Sequence, residues 1–221
     1  FSSSCTVYGE PDRVPINEKE PLKPTVSPYG GTKQMGETII QDVCVANKTF
    51  NAILLRYFNP IGAHPSGKIG EIPQVVPVNL VPFLTQTAIG KRKELFVFGA
   101  DYPTPDGTCI RDYIHVMDLA HAHILSLKFL WAKKNESNCE IFNLGTGKGN
   151  SVLELIQTFE SSTGQKVNYK IASRREGDII QAYADPSKAK KILGWQAKQS
   201  LSSALKSAWE WEKNWQKEES S

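Results

Sequence analysis

A nearly continuous apolar run at residues 51–58, Asn-Ala-Ile-Leu-Leu-Arg-Tyr-Phe, stops before the Asn-Pro pair at 59–60. Strands that are buried on both faces of a parallel sheet have this composition, and proline ends a central strand because it lacks an N–H group. Residues 29–47, just before the run, read as a helix with Ser27 as its N-cap and Pro28 at its first position. The order of helix and strand predicts an α/β fold with a parallel sheet.

Helices and strands alternate through the rest of the chain. Strands are predicted at residues 1–6, 95–98, 140–144 and 167–171, and helices at residues 78–89, 117–133, 151–162 and at the chain end. The first helix has apolar residues four apart at Met35, Ile39 and Val43, and the last has them at Leu201, Leu205 and Trp209, as helical periodicity requires. The pattern predicts part of a doubly wound α/β domain joined to a smaller mixed domain.

The charges are balanced and scattered. The chain has 26 basic and 23 acidic residues, a formal net charge of +3 and no basic tract, so we expect neither nucleic acid nor a membrane surface as a partner. No apolar run approaches the roughly 20 residues that span a bilayer, and the first residues lack the features of a signal peptide, which predicts a cytosolic protein. The chain opens on Phe1, without Met, inside a predicted strand, and we expect that an amino-terminal part is missing.

Cysteine and histidine, which often bind metals, are arranged here in ways that argue against a metal site. The four cysteines show no CxxC spacing, which favours reduced thiols. His121 and His123 are two apart on a predicted helix and therefore point in different directions, so no metal is predicted. The cysteines are Cys5, Cys44, Cys109 and Cys139.

Tyr29 and Lys33 are four residues apart on the first predicted helix and therefore project from one face. A free tyrosine hydroxyl ionises near pH ~10, but a neighbouring ammonium group and a cationic nicotinamide favour the phenolate. Tyr29 is then a usable base near neutral pH, able to take a proton from a substrate hydroxyl. The same spacing occurs by chance in many helices, so this interpretation needs support from other motifs.

Several longer motifs supply that support. They are Ser-Ser-Ser-Cys-Thr-Val-Tyr-Gly at 2–9, Ser-Pro-Tyr-Gly at 27–30, Leu-Arg-Tyr-Phe-Asn-Pro-Ile-Gly-Ala-His at 55–64, Arg-Asp-Tyr-Ile-His-Val-Met-Asp-Leu-Ala at 111–120, Asn-Leu-Gly-Thr-Gly at 143–147 and Arg-Arg-Glu-Gly-Asp at 174–178. With them the chain resembles the extended short-chain dehydrogenase/reductase family over essentially its whole length. The last three motifs resemble the branch of the family that contains the UDP-galactose 4-epimerases.

The resemblance implies a fold and a reaction. It implies the C-terminal part of a doubly wound Rossmann-type parallel sheet, and a smaller mixed α/β domain that binds the substrate. Residues 1–60 are expected in the truncated NAD-binding domain, with a return at 112–145, and residues 61–111 and 146–221 in the nucleotide-sugar domain. The implied reaction inverts C4 of a UDP-hexose through a transient 4-keto sugar, with tightly held NAD as cofactor, in a protein that is a homodimer when complete.

The resemblance also assigns roles to residues at the cofactor. Ser4, Tyr29 and Lys33 match the catalytic serine, the tyrosine base and the lysine that holds the nicotinamide ribose. Tyr57 and Phe58 match positions beside the nicotinamide, so that Tyr29, Lys33, Tyr57 and Phe58 are the expected cofactor contacts.

Eight further positions match the lining of the family's nucleotide-sugar site. They are Asn59, Asn79, Leu80, Phe98, Arg111, Arg175, Asp178 and Ala182. The two arginines suit a diphosphate, since guanidinium groups form forked, charge-assisted hydrogen bonds, and Asp178 can accept from ribose hydroxyls while Phe98 packs on uracil. The position of Ala182 carries either a large Tyr or a small residue in the family, and the small Ala implies room for an N-acetylated sugar, UDP-GlcNAc or UDP-GalNAc.

The glycine-rich segment 145–149, Gly-Thr-Gly-Lys-Gly, is not predicted to be the dinucleotide fingerprint. Its third glycine comes one residue early, and no acidic residue ends the next predicted strand. We predict a tight turn there, with Asn150 or Ser151 capping the following helix. The fingerprint is expected in the missing part, so this chain alone is expected neither to hold NAD nor to be active.

Three alternatives stay open. A nucleotide-sugar 4,6-dehydratase needs an Asp and a Glu directly after the position of Ser4, where this chain has Cys5 and Thr6. A 4-epimerase of another nucleotide sugar, such as a UDP-uronic acid, differs only in its sugar pocket. A nucleotide-sugar-binding module without catalysis is the third.

Overall fold

In the computed structural model, which describes residues 1–73 and 75–219, the apolar run forms a central strand, β2 (Ala52–Tyr57). It lies between β1 (Ser2–Ser4) and β7 (Cys139–Leu144), and both neighbours are parallel to it. Leu54 is fully buried, as expected of a strand that is covered on both faces. The predicted parallel α/β fold is confirmed.

The helix α1 (Pro28–Ala46) connects β1 to β2, and Ser27 is its N-cap, since the Ser27 hydroxyl accepts a hydrogen bond from the Gly30 amide at 3.2 Å. The strand predicted at residues 1–6 is shorter in the structure. Its continuation, Cys5–Tyr8, is a 3-10 helix whose N-cap is Ser4, because the Ser4 hydroxyl accepts the Thr6 amide at 3.2 Å. A local side-chain acceptor therefore ends the strand.

The remaining elements pack on the sheet or build a second layer. In chain order they are β3 (Asn59–Ile61), α2 (Leu80–Ala88), β4 (Leu95–Phe98), β5 (Ile110–Arg111), β6 (Tyr113–His115), α3 (Val116–Trp131), β8 (Asn150–Ser151), α4 (Val152–Thr163), β9 (Tyr169–Ala172), β10 (Gln181–Ala182), a π-helix (Ala189–Leu193) and α5 (Leu201–Glu219). Short parallel pairs join β3 to β6 and β4 to β9, and β5 lies between β10 and β8.

Two large apolar clusters form the core. One lies between the sheet and α3 and includes Phe142 and Trp195, both fully buried. The other joins α2, β4, α4 and α5 around Leu84 and Phe159. The domain limits stay a prediction, but residues 189–195 pack on the sheet cluster although the sequence assigns 146–221 to the second domain.

The buried face of α1 is not its apolar stripe. Met35 and Ile39 are 67% and 63% exposed, whereas the carboxylate of Glu37 is completely buried. Glu37 accepts two hydrogen bonds from the Arg56 guanidinium of β2, at 2.9 and 2.6 Å, and a third from the Ser3 hydroxyl of β1. Glu37 therefore attaches α1 to two adjacent strands, to β2 by an ion pair and to β1 by a hydrogen bond.

We expect Glu37→Ala to lower the free energy of unfolding by about 3–5 kcal/mol, because it leaves the Arg56 guanidinium buried without its counter-charge. Lys166→Ala is the control, since Lys166 is 88% exposed in its pair with Glu160, and its loss should cost at most about 1 kcal/mol. Urea unfolding followed by circular dichroism measures both. Equal losses in the two variants would mean that the buried pair does not hold α1.

His115 makes stability depend on pH. It caps α3, since its Nδ1 accepts the Met117 amide at 3.1 Å, and burial lowers its pKa. The unfolded chain therefore takes up the proton first, so this contribution is complete above the unfolded pKa of about 6.5 and is lost as pH falls toward the folded value. His115→Asn keeps a capping oxygen and should reduce the loss of stability between pH 7.5 and 5.5. An unchanged pH dependence in urea titrations would contradict this assignment.

Candidate functional site at the carboxyl edge of the sheet

The carboxyl ends of β1 and β2 lie side by side, with Ser4 opposite Tyr57 in the register of the two strands. Ligands of open parallel sheets bind at this edge because the connecting loops leave a crevice there. The loop before α1 brings Tyr29 to the amino end of that helix, where its ring is 55% exposed. Three predicted site residues are thus placed by adjacent elements.

Lys33 lies one helical turn after Tyr29, as the spacing predicts. Its ammonium nitrogen is 5.4 Å from the centre of the Tyr29 ring and donates to the Ser2 carbonyl at 2.8 Å. That bond fixes the amine against β1 while leaving two further donors on it. The arrangement suits a tyrosine base beside a cation that also binds a hydroxylated ligand.

Ser4, Tyr57 and Phe58 differ in how far they are accessible. Ser4 is 7% exposed, and its hydroxyl accepts from the Thr6 hydroxyl at 3.0 Å. Burial raises the pKa of Tyr57, so its hydroxyl stays protonated at neutral pH. Phe58 is only 3% exposed and packs in a third apolar cluster, so its side chain presents little surface to a ligand.

A cavity of about 510 Å³ begins at Asn59, directly beyond the end of β2, and extends between α2, β4 and α5. Seven of the eight positions predicted for the nucleotide sugar line it. These are Asn59, Asn79, Leu80, Phe98, Arg111, Arg175 and Asp178. The eighth position, Ala182, is not among the described residues that line the cavity. It is 7% exposed and lies on β10, where it pairs with Arg111.

Two guanidinium groups, those of Arg111 and Arg175, are among the charged groups that line the cavity. Arg175 donates to the Asp178 carboxylate at 2.6 Å and stands 5.5 Å from the centre of the Phe98 ring, while Arg111 donates to the Ile110 carbonyl at 2.9 Å. The amino end of α2 also opens into the cavity at Asn79, whose side chain makes no capping bond to the helix. Two guanidinium groups and a helix amino terminus favour a diphosphate.

Sequence reasoning missed part of this lining. Trp211 and Glu212 of α5 border the cavity, and Glu212 is buried between the Thr85 hydroxyl at 3.2 Å and the Lys91 amine at 3.2 Å. No motif marks Trp211 or Glu212, because the chain end meets the cavity only through the tertiary packing of α5.

The glycine-rich turn after β7 is filled by the protein's own carboxylate. Asp112 accepts hydrogen bonds from the amides of Thr146, Gly147 and Ala184 at 2.8, 3.0 and 3.1 Å. A cofactor pyrophosphate therefore has no place in this turn, as the sequence predicts. The predicted cap is confirmed at Ser151, which forms a capping box with Glu154 at the start of α4.

The described residues contain no helix long and apolar enough to cross a membrane, and no cluster of three or more His, Cys, Asp or Glu side chains that could bind a metal ion. All four cysteines are free thiols.

The sequence model of a family described as GDP-mannose 4,6 dehydratase matches residues 1–208. The chain belongs to this family. The curated relatives include a UDP-glucose 4-epimerase of Dictyostelium discoideum, 53% identical over 212 residues, which are 96% of this chain and 61% of that protein. The chain thus spans about three fifths of the length of this relative.

Solved structures give the same result. A UDP-glucose 4-epimerase of Stenotrophomonas maltophila, with bound NAD and formylated UDP-arabinopyranose, is 45% identical with a TM-score of 0.94, over 99% of this chain and 64% of that one. The UDP-Glc/GlcNAc 4-epimerase of Campylobacter jejuni is 40% identical with a TM-score of 0.78, over 97% of this chain and 64% of that one. The Rossmann-type fold expected from the resemblance is confirmed.

The glycine pair after Tyr29 provides a test of the site. A Cβ on Gly30 would lie 2.9 Å from the Thr25 Cβ, whereas one on Gly31 would meet only the Thr25 hydroxyl at 3.6 Å. We expect Gly30→Ala to lower the free energy of unfolding by about 1–3 kcal/mol through overpacking. Gly31→Ala should be neutral or stabilise by up to about 1 kcal/mol, since Ala is the better helix former. Thermal unfolding compares the two, and equal effects would exclude close packing at Gly30.

Proposed function

We propose that the complete protein inverts C4 of a UDP-hexose with NAD as cofactor, and so interconverts UDP-galactose and UDP-glucose. The observation that carries the proposal is the cavity with Arg111 and Arg175, which opens two residues beyond Tyr57, beside the edge that bears Tyr29 and Lys33. A UDP-sugar in this cavity would direct its hexose toward the tyrosine. The names of the relatives agree with this substrate class.

The nucleotide is held more firmly than the sugar in this scheme. Arg111 and Arg175 neutralise the diphosphate, with the amino end of α2 as a third positive partner. Asp178, released from part of its bond to Arg175, accepts from the ribose, and the Phe98 ring packs on uracil. Firm binding of UDP and loose binding of the hexose let the oxidised sugar rotate within the cavity.

Tyr29 takes the proton of the C4 hydroxyl and later returns it, with Lys33 beside it as the cation and Ser4 orienting the same hydroxyl. The chemistry that NAD supplies when bound is reversible hydride transfer at C4. Because the keto sugar turns before the return, C4 receives its hydrogen on the opposite face, and no net oxidation takes place.

Only one end of the cofactor is matched by this chain. Lys33, Tyr29 and Tyr57 are the residues proposed to hold the nicotinamide ribose and ring, while the amides of the glycine-rich turn are bound to Asp112. We therefore assign the rest of NAD binding to a part of the complete protein outside this chain, which spans 61% of its Dictyostelium discoideum relative. The chain alone is proposed to be inactive.

Dehydration, the reaction in the family's description, is disfavoured by the two residues after Ser4. Elimination of water needs an acid and a base there. Burial raises the pKa of the Cys5 thiol to about 12, and the Thr6 hydroxyl donates to Ser4 at 3.0 Å. These two side chains therefore cannot act as the acid and the base of an elimination at neutral pH, which supports epimerisation.

The proposed substrate range includes N-acetylated sugars, since the related Campylobacter jejuni enzyme is named for both glucose and GlcNAc, and since Ala182, although outside the cavity lining, is a small residue paired with the lining residue Arg111. The proposed assembly is a homodimer in the cytosol. The exposed apolar stripe of α1, with Met35 67% and Ile39 63% exposed, is a suitable contact surface for a second subunit.

The test is conversion of UDP-galactose to UDP-glucose, with added NAD, by the complete protein and by this chain alone. Activity of the complete protein, with a loss of at least a hundredfold in Tyr29→Phe, is expected, since a general base contributes about 10²–10⁴-fold. UDP-GlcNAc should also be epimerised. UDP binding without conversion of any UDP-sugar would replace catalysis by a binding role, and conversion of a UDP-uronic acid alone would change the substrate.

A further inference from the structure

We infer that His123 is a positioning residue for the cofactor site, because it holds the Tyr57 ring in place by accepting the hydrogen bond of the Tyr57 hydroxyl. The inference rests on the proposed function for its catalytic meaning, but the contact itself is a property of this chain. The sequence marks His123 only as one of two histidines that point in different directions on the same helix.

The geometry joins α3 to the central strand. The His123 Nε2 atom lies 2.6 Å from the Tyr57 hydroxyl, and the two rings meet edge to face with their centres 5.6 Å apart. The same hydroxyl lies 2.7 Å from the Ser2 hydroxyl of β1. Tyr57 is therefore held between two polar partners from two different elements.

The other nitrogen of the imidazole decides the direction of these bonds. His123 Nδ1 lies 3.0 Å from the Leu119 carbonyl, which can only accept, so Nδ1 carries the hydrogen. In the neutral ring, Nε2 is then a bare acceptor and the Tyr57 hydroxyl donates to it. The Tyr57 oxygen in turn accepts from the Ser2 hydroxyl, since two hydroxyls can bond in either direction.

Ser2 connects this chain of bonds to the candidate catalytic lysine. Its hydroxyl contacts Tyr57, and its carbonyl accepts from the Lys33 amine at 2.8 Å. A displacement of Tyr57 would move its ring, which is expected beside the nicotinamide. It would also disturb Ser2, the residue of β1 whose carbonyl fixes Lys33. His123 reaches the cofactor only through Tyr57, which makes it a positioning residue rather than a catalytic one.

The neighbouring histidine provides a matched control. His121 lies two positions earlier on α3 and is exposed, whereas His123 is half-buried against Tyr57. His121→Leu and His123→Leu therefore remove the same ring from the same helix, but only the second removes the acceptor of the Tyr57 hydroxyl. His123→Gln offers a replacement acceptor.

The first experiment measures epimerisation and retention of NAD by the complete protein. We expect His123→Leu to lower kcat about tenfold, the effect of one lost hydrogen bond, with the KM for the UDP-sugar within about twofold. His123→Gln should recover most of the loss, and His121→Leu should match the unsubstituted protein. Tyr57→Phe combined with His123→Leu should be no worse than the more damaging single variant, since both remove one bond.

The second experiment does not depend on activity. Nitrogen-15 NMR of histidine-labelled protein should show His123 as the neutral Nδ1–H tautomer, with an Nε2 resonance that shifts in Tyr57→Phe and stays in His121→Leu. An Nε2–H tautomer, a resonance indifferent to Tyr57→Phe, or losses that multiply in the double variant would overturn the inference. Absence of epimerisation with the expected NMR result would instead reject the proposed function and leave the contact established.

Discussion

The buried ion pair between Glu37 and Arg56 is the interaction on which the arrangement of the site depends. Both side chains are almost completely removed from water, at 1% and 3% exposure, and each is costly to bury without the other. Tyr29, Lys33 and Glu37 follow one another at intervals of four on α1, so they share a face. Fixing Glu37 against β2 therefore also fixes the rotation and height of Tyr29 and Lys33 above β1.

Arg56 also connects the ion pair to further polar side chains. Its guanidinium lies 4.8 Å from the centre of the Tyr8 ring, and the Tyr8 hydroxyl donates to the Asn143 side chain of β7 at 2.7 Å. The backbone amide of Asn143 in turn donates to the Glu18 carboxylate at 2.8 Å. Glu18 lies in the long loop that leads to α1. A continuous polar network thus links α1, all three strands of the sheet and that loop beneath the candidate site.

The glycine-rich turn after β7 has a structural role that its sequence does not reveal. A glycine-rich turn between a strand and a helix commonly binds phosphate through its amides. Here Asp112, directly after the cavity residue Arg111, supplies the anion, and it ties β5 and β6 to the turn and to Ala184. The turn therefore stabilises the junction of the two layers, and in the proposed function an external phosphate binds the two arginines and the amino end of α2.

Local rules were enough to predict the helices, the buried strand, the caps at Ser27 and Ser151 and the closeness of Tyr29 to Lys33, because each depends on residues within one or two turns of each other. Seven of the cavity residues were expected from the resemblance to a known family, not from periodicity. Only the tertiary structure decided that α1 buries Glu37 while Met35 and Ile39 face outward, and that His123 meets Tyr57 and Trp211 meets the cavity. Periodicity states which side chains share a face, but what covers that face is determined by the contacts between segments that are distant in the chain.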